Sequence, residues 1–127
     1  MQSYPFVEIW MSDPTLSEVQ EKIRKFAELR DWGQFHTPKN LAMAIGSEAG
    51  ELLDTMLWVD GEQSRNPDDK TEELIKEEVA DIMIYCLRIC DVLSIDPIEI
   101  MNRKLEVNEE KYPVSESAGN AIKYNRR

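Results

Sequence analysis

The chain has little of what several classes of functional site require. Its 127 residues include one histidine, two cysteines and five glycines, and 15 lysines and arginines are outnumbered by 25 aspartates and glutamates. A net charge of −10 argues against a nucleic acid polymer as partner, because a phosphate backbone is bound by a basic surface. No stretch approaches the roughly 18 uninterrupted apolar residues of a membrane span, and no signal peptide is recognisable. We therefore expect a cytoplasmic protein that does not contact a membrane.

The two cysteines do not suggest a disulfide framework. Cys86 and Cys90 are four residues apart on one predicted helix, and without a secretion signal we expect both to be buried, reduced thiols. The composition is 42% hydrophobic and 31% charged, which is typical of one globular domain with its own core.

Helix signals recur along the chain, and no segment alternates as a strand does. A capping side chain followed by proline, as in Thr37-Pro38 and Asp96-Pro97, is typical of a helix start. The pattern predicts four helices. The first runs from Ser17 to Trp32, with Thr15 or Ser17 as its N-cap and Gly33 as the residue that ends it. The other three run from Pro38 to Trp58, from Asp69 or Thr71 to Leu93, and from Pro97 to Tyr112.

Helices of this length joined by short loops predict an all-α subunit, a four-helix antiparallel bundle-like fold. We expect an N-terminal arm over residues 1–15, one domain over 16–113 and a tail over 114–127 that is loosely ordered unless it docks on a neighbour. Apolar residues occupy nearly every side of the second and third helices. In a small bundle each helix should keep a polar stripe that faces solvent. The apolar surface that these two helices carry beyond this predicts a subunit interface, for which a homodimer is the simplest arrangement.

Two acidic pairs interrupt these apolar helices. Glu48 and Glu51 are three residues apart, as are Glu78 and Asp81, so each pair projects to one side of its helix. Carboxylates beside a core are costly unless a cation or another partner compensates them. Two such helices packed antiparallel bring four carboxylates together, and an all-oxygen set suits Mg²⁺ or Mn²⁺. Spacing alone leaves Glu77 as an alternative to Glu78.

The pattern Glu-x-x-Glu, then 26 residues, then Glu-x-x-Asp resembles the metal signature of the all-α nucleoside triphosphate pyrophosphohydrolases, the superfamily of MazG, dimeric dUTPases and phosphoribosyl-ATP pyrophosphohydrolase. Further residues are similar to the dCTP pyrophosphatase branch of the MazG-like proteins, among them Arg30-Asp31-Trp32, Gln34-Phe35-His36 and Lys111-Tyr112-Pro113. The resemblance implies Mg²⁺-dependent hydrolysis of a (deoxy)nucleoside triphosphate, dCTP or a 5-substituted dCTP first, to the monophosphate and pyrophosphate. It also implies a homodimer or homotetramer.

Residue roles follow from this resemblance. It implies that Glu48, Glu51, Glu78 and Asp81 are the metal ligands, and it favours Glu78 over Glu77. It also implies that Glu48 is the general base or the residue that orients the attacking water. The implied substrate-binding residues are Trp32, His36, Trp58, Tyr85, Lys104, Asn108 and Lys111, with the two lysines on one helix face for the phosphates. Phe35 is expected in the core. Ile23 stands where the cytosine-preferring members lead us to expect a polar side chain, which leaves the base open.

Two other functions compete with this interpretation. A ferritin-like di-iron protein also uses carboxylates across four helices, but it requires Glu-x-x-His pairs, and the only histidine, His36, is predicted in a turn. A non-enzymatic helical interaction or regulatory protein would instead use the acidic face to bind a partner, since a fold alone does not fix function.

Overall fold

The computed structural model describes residues 13–127. Within this range the secondary structure is entirely helical, which confirms the all-α prediction. The backbone forms two compact units, one up to Leu93 and one from Ser94 onward. Most of the expected N-terminal arm lies outside the described residues, and the domain bounds 16–113 stay a prediction.

The α-helices are α1 Leu16–Leu29, α2 Pro38–Thr55, α3 Asp69–Val92, α4 Pro97–Lys111 and α5 Val114–Ser117, and short 3-10 helices span Gln63–Arg65 and Tyr124–Arg126.

Each of the four long helices begins at a side-chain cap. Thr15 and Glu18 form a reciprocal capping box at α1, and Thr37 accepts a hydrogen bond from the amide of Asn40 at α2. Asp68 caps α3 and Asp96 caps α4 in the same way. These caps satisfy amide groups that a helix N-terminus leaves without partners, so the predicted starts of α2 and α4 are correct.

The first two helices end earlier than their sequence predicts. Helix α1 ends at Leu29, and the left-handed backbone conformation that follows belongs to Asp31 (φ 52°) rather than to Gly33. Aspartate tolerates this conformation better than most side chains. Helix α2 ends at Thr55, three residues before Trp58. The aromatic residues at both ends therefore lie on turns and not on helices.

The first unit is built on α3. The turn before α2 contacts the end of α3 through His36 and Arg88, so α2 and α3 run antiparallel. Gln20 donates a hydrogen bond to the carbonyl of Leu87, and Arg24 pairs with Asp91 four residues further along both helices, so α1 and α3 run parallel there. The buried apolar side chains are Ala27, Leu41, Leu87 and Cys90.

Several apolar side chains that the sequence assigns to the interior are exposed. Cys86 is exposed while Cys90 is buried, so the prediction of a buried thiol is correct for Cys90 and wrong for Cys86. Phe35 is 58% exposed, so its expected core position is wrong: it lies in the turn before α2, outside the packed helix faces. Other large apolar side chains exposed on or after α2 and α3 include Met43, Leu53, Leu57, Trp58 and Met83.

The second unit consists of α4 and the chain that follows it. Arg127 donates a hydrogen bond to the carbonyl of Lys111 at 2.6 Å and forms an ion pair with Glu116. The rings of Tyr112 and Tyr124 meet edge to face at 5.8 Å. The tail therefore docks on the end of α4, which is the case in which the sequence allows it to be ordered. None of the described helices combines the length and hydropathy needed to cross a membrane.

Candidate functional site

Three of the four predicted metal ligands form one cluster between α2 and α3. Glu48 on α2 and Glu78 and Asp81 on α3 each place a carboxylate oxygen within 4.8 Å of the others. The three-residue spacing brings Glu78 and Asp81 to one face of α3, and the antiparallel packing brings the middle of α2 opposite them. Glu78, not Glu77, belongs to the cluster, as the resemblance implies.

Two oxygens of this cluster are buried without a partner. Oε2 of Glu48 and Oε2 of Glu78 are inaccessible to solvent, and no group among the described residues donates a hydrogen bond to either. Hydrogen bonding to Glu78 and then to Glu51, followed by burial and the two negative charges, raises the pKa of Glu48 to about 7. Two carboxyl groups form such a hydrogen bond only when one of them carries a proton. Without a cation, the cluster therefore favours a protonated Glu48 over full ionisation.

The donor set of the cluster fits a hard divalent cation. Its ligands are carboxylate oxygens only, two of them buried and unpartnered, and Mg²⁺ or Mn²⁺ takes oxygen ligands of this kind. Glu51 is exposed and is not one of the three mutually close residues, but it lies three residues after Glu48 on α2 and so shares that face of the helix.

A cavity of about 380 Å³ adjoins the acidic cluster. It lies between α1, α3 and the turn that connects α1 to α2, and Asp81 belongs both to its wall and to the cluster. Three predicted substrate-binding residues, Trp32, His36 and Tyr85, line it. Ile23 also lines it, so this position contributes apolar wall. The other lining residues are Val19, Lys22, Phe26, Ala27, Ile84 and Arg88.

Backbone hydrogen bonds of the turn fix the positions of Trp32 and His36. The amide of Trp32 donates to the carbonyl of Ala27, and the amide of His36 donates to the carbonyl of Trp32. The side-chain amide of Asn40 donates to the carbonyl of Phe35 at 2.9 Å, so Asn40 braces the turn. The Trp32 ring packs edge to face on His36, with ring centroids 6.1 Å apart.

Arg88 lines the cavity and is not among the predicted site residues. Arg88 is the buried charged residue of the described chain, 8% exposed. Its Nε donates to Nδ1 of His36 at 3.0 Å, and its Nη1 donates to Oδ2 of Asp91 at 3.2 Å. Asp91 in turn accepts two hydrogen bonds from Arg24 at 2.8 and 2.6 Å. An arginine inside an apolar run, with an aspartate three residues later, was the available signal.

The remaining predicted substrate-binding residues are Trp58 and three residues of the second unit. Trp58 is 92% exposed and is not part of the lining. Lys104, Asn108 and Lys111 belong to the second unit. There the backbone carbonyl of Asn108 accepts a hydrogen bond from the amide of Tyr112, and the ammonium of Lys111 lies 4.8 Å from the ring centre of Tyr124.

Comparisons with known proteins agree with this geometry. Residues 43–126 match the model of the MazG-like family. The chain is 35% identical to dCTP pyrophosphatase 1 of Bos taurus, over 89% of this chain and 68% of the relative, and 32% identical to dCTP pyrophosphatase 1 of Homo sapiens, over 88% and 67%. A solved pyrophosphatase from Archaeoglobus fulgidus DSM 4304 is 39% identical and superposes with a TM-score of 0.74, covering 80% of this chain and 95% of its own. The chain belongs to the MazG-like family.

Proposed function

We propose that the chain is a nucleoside triphosphate pyrophosphohydrolase that hydrolyses dCTP, or a 5-substituted dCTP, to the monophosphate and pyrophosphate and so sanitises the nucleotide pool. The observation that carries the proposal is the shared position of Asp81, which belongs to the acidic cluster and to the wall of the aromatic cavity. A nucleotide whose base enters the cavity has its phosphates beside the carboxylates. The relatives named dCTP pyrophosphatase support dCTP as the substrate.

Glu48, Glu51, Glu78 and Asp81 would hold Mg²⁺, which neutralises phosphate charge and offsets the repulsion between the carboxylates. Glu48 accepts the proton of the attacking water. The water oxygen forms a bond to the α-phosphorus, and the bond from that phosphorus to the oxygen bridging to the β-phosphate breaks, releasing pyrophosphate. A carboxylate beside the attacking water can take its proton as a general base.

The base binds among the aromatic side chains. Trp32 and Tyr85 line the cavity together with Phe26, and stacking of a base on an aromatic ring contributes about 1 to 3 kcal/mol. Stacking accepts any base, so selectivity must come from hydrogen bonds and from cavity width. The polar groups of the cavity include His36 and Arg88, whereas Ile23 supplies none.

The active form is a homodimer or a homotetramer. Exposed apolar side chains follow one another at the end of α2, with Leu53 71% and Trp58 92% exposed. A tryptophan exposed to this extent, beside other exposed apolar residues, is typical of an interface and not of free surface. Contact with a second copy would cover this surface, and it would allow Trp58 to reach a substrate cavity other than that of its own chain.

Two lysines of α4 bind the phosphates in this proposal. Lys104 and Lys111 are seven residues apart, so they share one face of the helix. Lys104 is exposed, and Lys111 contacts the ring of Tyr124. Asn108 lies on the same helix between them. The cytoplasmic location expected from the sequence stays a prediction.

The rival functions have less support. His36 accepts a hydrogen bond from Arg88 at Nδ1 and is not part of the acidic cluster. The histidine ligands that a ferritin-like di-iron site requires are therefore missing from the described residues. A non-enzymatic acidic binding face does not explain an aromatic cavity that shares Asp81 with the cluster.

The experiment that tests the proposal is pyrophosphate release with Mg²⁺ from each common deoxynucleoside and ribonucleoside triphosphate. We expect the largest kcat/KM for dCTP and its 5-substituted forms. Absence of pyrophosphate release from every nucleotide would leave the non-enzymatic alternative standing.

A further inference from the structure

Arg88 is buried at the end of the cavity that lies away from the acidic cluster. Asp81 and Arg88 are seven residues apart on α3, a separation of about 10 Å along the axis, and both line the same cavity. A buried guanidinium is costly unless its donors are satisfied. Two donors of Arg88, Nε–H and Nη1–H, go to the ring of His36 and to Asp91, which makes this end of the cavity a built polar site.

The bond from Arg88 determines the chemical state of the His36 ring. Nδ1 accepts the Nε–H of Arg88, so Nδ1 carries a lone pair and the proton of the neutral ring is on Nε2. An imidazolium has no lone pair and would face a guanidinium 3.0 Å away.

We propose that Arg88 is a positioning residue for the nucleotide base: it keeps His36 neutral and in the Nε2–H form, so that His36 is a fixed hydrogen-bond donor to an acceptor atom of the base. The part that concerns the base rests on the proposed function. The ligand chemistry that fits is a ring carbonyl oxygen or an unprotonated ring nitrogen, and an amino group at that point is disfavoured.

The ion pairs behind Arg88 hold it against the ring. Asp91 accepts from Arg24 through both oxygens and from Arg88 through Oδ2. The hydrogen bond from Arg24, with the charges of both arginines, lowers the pKa of Asp91. Asp91 therefore stays ionised and keeps the guanidinium of Arg88 in place.

The charged groups around His36 agree with a neutral ring. Burial, and after it the charge of Arg88, lower the pKa of His36 below its ordinary value. The other titratable residues that line the cavity with His36 are Lys22, Asp81 and Tyr85, and no carboxylate among the described residues forms an ion pair with the ring. His36 therefore remains neutral throughout the range around pH 7.

The chain contains a single histidine, so ¹⁵N NMR of the histidine ring reports on His36 without assignment. In the nucleotide-free wild-type protein we expect an unprotonated Nδ1 and a protonated Nε2 at pH 7 and above. A wild-type spectrum showing the Nδ1–H form, or an imidazolium at pH 7, overturns the proposal without any variant.

Replacing Arg88 separates positioning from folding. In Arg88→Met the pKa of His36 should rise and both tautomers should appear, and KM for dCTP should rise about tenfold for the lost hydrogen-bond geometry, with kcat within about threefold. Arg65→Met, which removes an exposed arginine paired with Glu62, should change neither the ring spectrum nor KM. If Arg88→Met fails to fold, Asp91→Asn replaces it as the test, because it weakens the hold on Arg88 and leaves the charge of Arg88 in place. This variant should show smaller changes in the His36 ring spectrum and in KM for dCTP.

The outcomes distinguish this inference from the proposed function. A wild-type protein with the Nε2–H ring that releases no pyrophosphate from dCTP contradicts the proposed function and leaves the Arg88 and His36 relation standing. An active enzyme in which Arg88→Met leaves the His36 spectrum or KM unchanged contradicts the inference alone.

Discussion

Glu48 and Glu78 belong to neighbouring antiparallel helices, and each keeps its Oε2 buried without a hydrogen-bond donor among the described residues. A proton on Glu48 lets this carboxyl hydrogen-bond to Glu78 and to Glu51, and this effect, followed by burial and the repulsion between the negative charges, raises the pKa of Glu48 to about 7. Either a proton or a cation can supply the missing positive charge. The stability of the fold should therefore depend on both.

The first prediction concerns the pH dependence of stability in the presence of a chelator. The pKa of Glu48 is raised in the folded state to about 7, so between the unfolded value and 7 the folded state binds more protons than the unfolded state. Its contribution to the free energy of unfolding then falls as pH rises. We expect Tm measured with EDTA to decrease from pH 5 to pH 8, and Mg²⁺ at pH 8 to restore it.

Glu48→Gln provides the control for this pH dependence. The amide cannot ionise, so the decrease in Tm with pH should be much smaller in this variant, and Mg²⁺ should raise its Tm less. An unchanged slope in Glu48→Gln would show that other groups cause it.

The second prediction uses two adjacent residues of one helix. Glu78→Gln should lower pyrophosphate release from dCTP by at least about 100-fold, because loss of a ligand disturbs both the affinity and the geometry of a metal site. Glu77→Gln removes the same charge from an exposed neighbour outside the cluster and should leave turnover nearly unchanged. Equal losses in the two variants would show that the cluster is misassigned.

The sequence predicted the three carboxylates of the acidic cluster because the signals for them are local. The capping residues Thr37 and Asp96 indicated where two helices begin. The three-residue spacing within each acidic pair indicated that its two carboxylates lie on one face of their helix. The choice of Glu78 over Glu77 depended on resemblance, since both positions can face Asp81 on a helix. These features depend on a few consecutive residues, so the packing of the chain does not change them.

Other features depended on packing and could not be derived from the sequence. Arg24 and Asp91 are 67 residues apart in the chain, as are Gln20 and Leu87, so their pairing follows only from the parallel contact of α1 and α3. The bond from Arg88 to His36 spans 52 residues. The helix ends at Leu29 and Thr55 were missed because the left-handed residue was an aspartate, and because the apolar pattern continued past Thr55 to Trp58.

The third prediction concerns assembly. The wild-type protein should sediment at micromolar concentration as a dimer or tetramer of its 14.8 kDa chain. Leu53→Glu places a charge in the exposed apolar surface that follows α2, and it should shift the distribution toward monomer because burying an unpaired charge in an interface is unfavourable. Arg65→Glu makes a comparable change at an exposed polar position and should not. A wild-type monomer would overturn the assembly.

The last prediction tests whether Trp58 completes the site of another subunit. Trp58→Ala should raise KM for dCTP about tenfold with a smaller effect on kcat, because a stacking ring binds ground and transition states alike. Glu78→Gln should abolish turnover in its own chain. Since Trp58 is 92% exposed and absent from the cavity of its own chain, a mixed oligomer of the two variants contains a site in which both Trp58 and Glu78 are intact. The mixture, dissociated and reassembled, should then hydrolyse dCTP at low concentration faster than the sum of the separate variants, whereas a rate equal to that sum would show that Trp58 serves no neighbouring site.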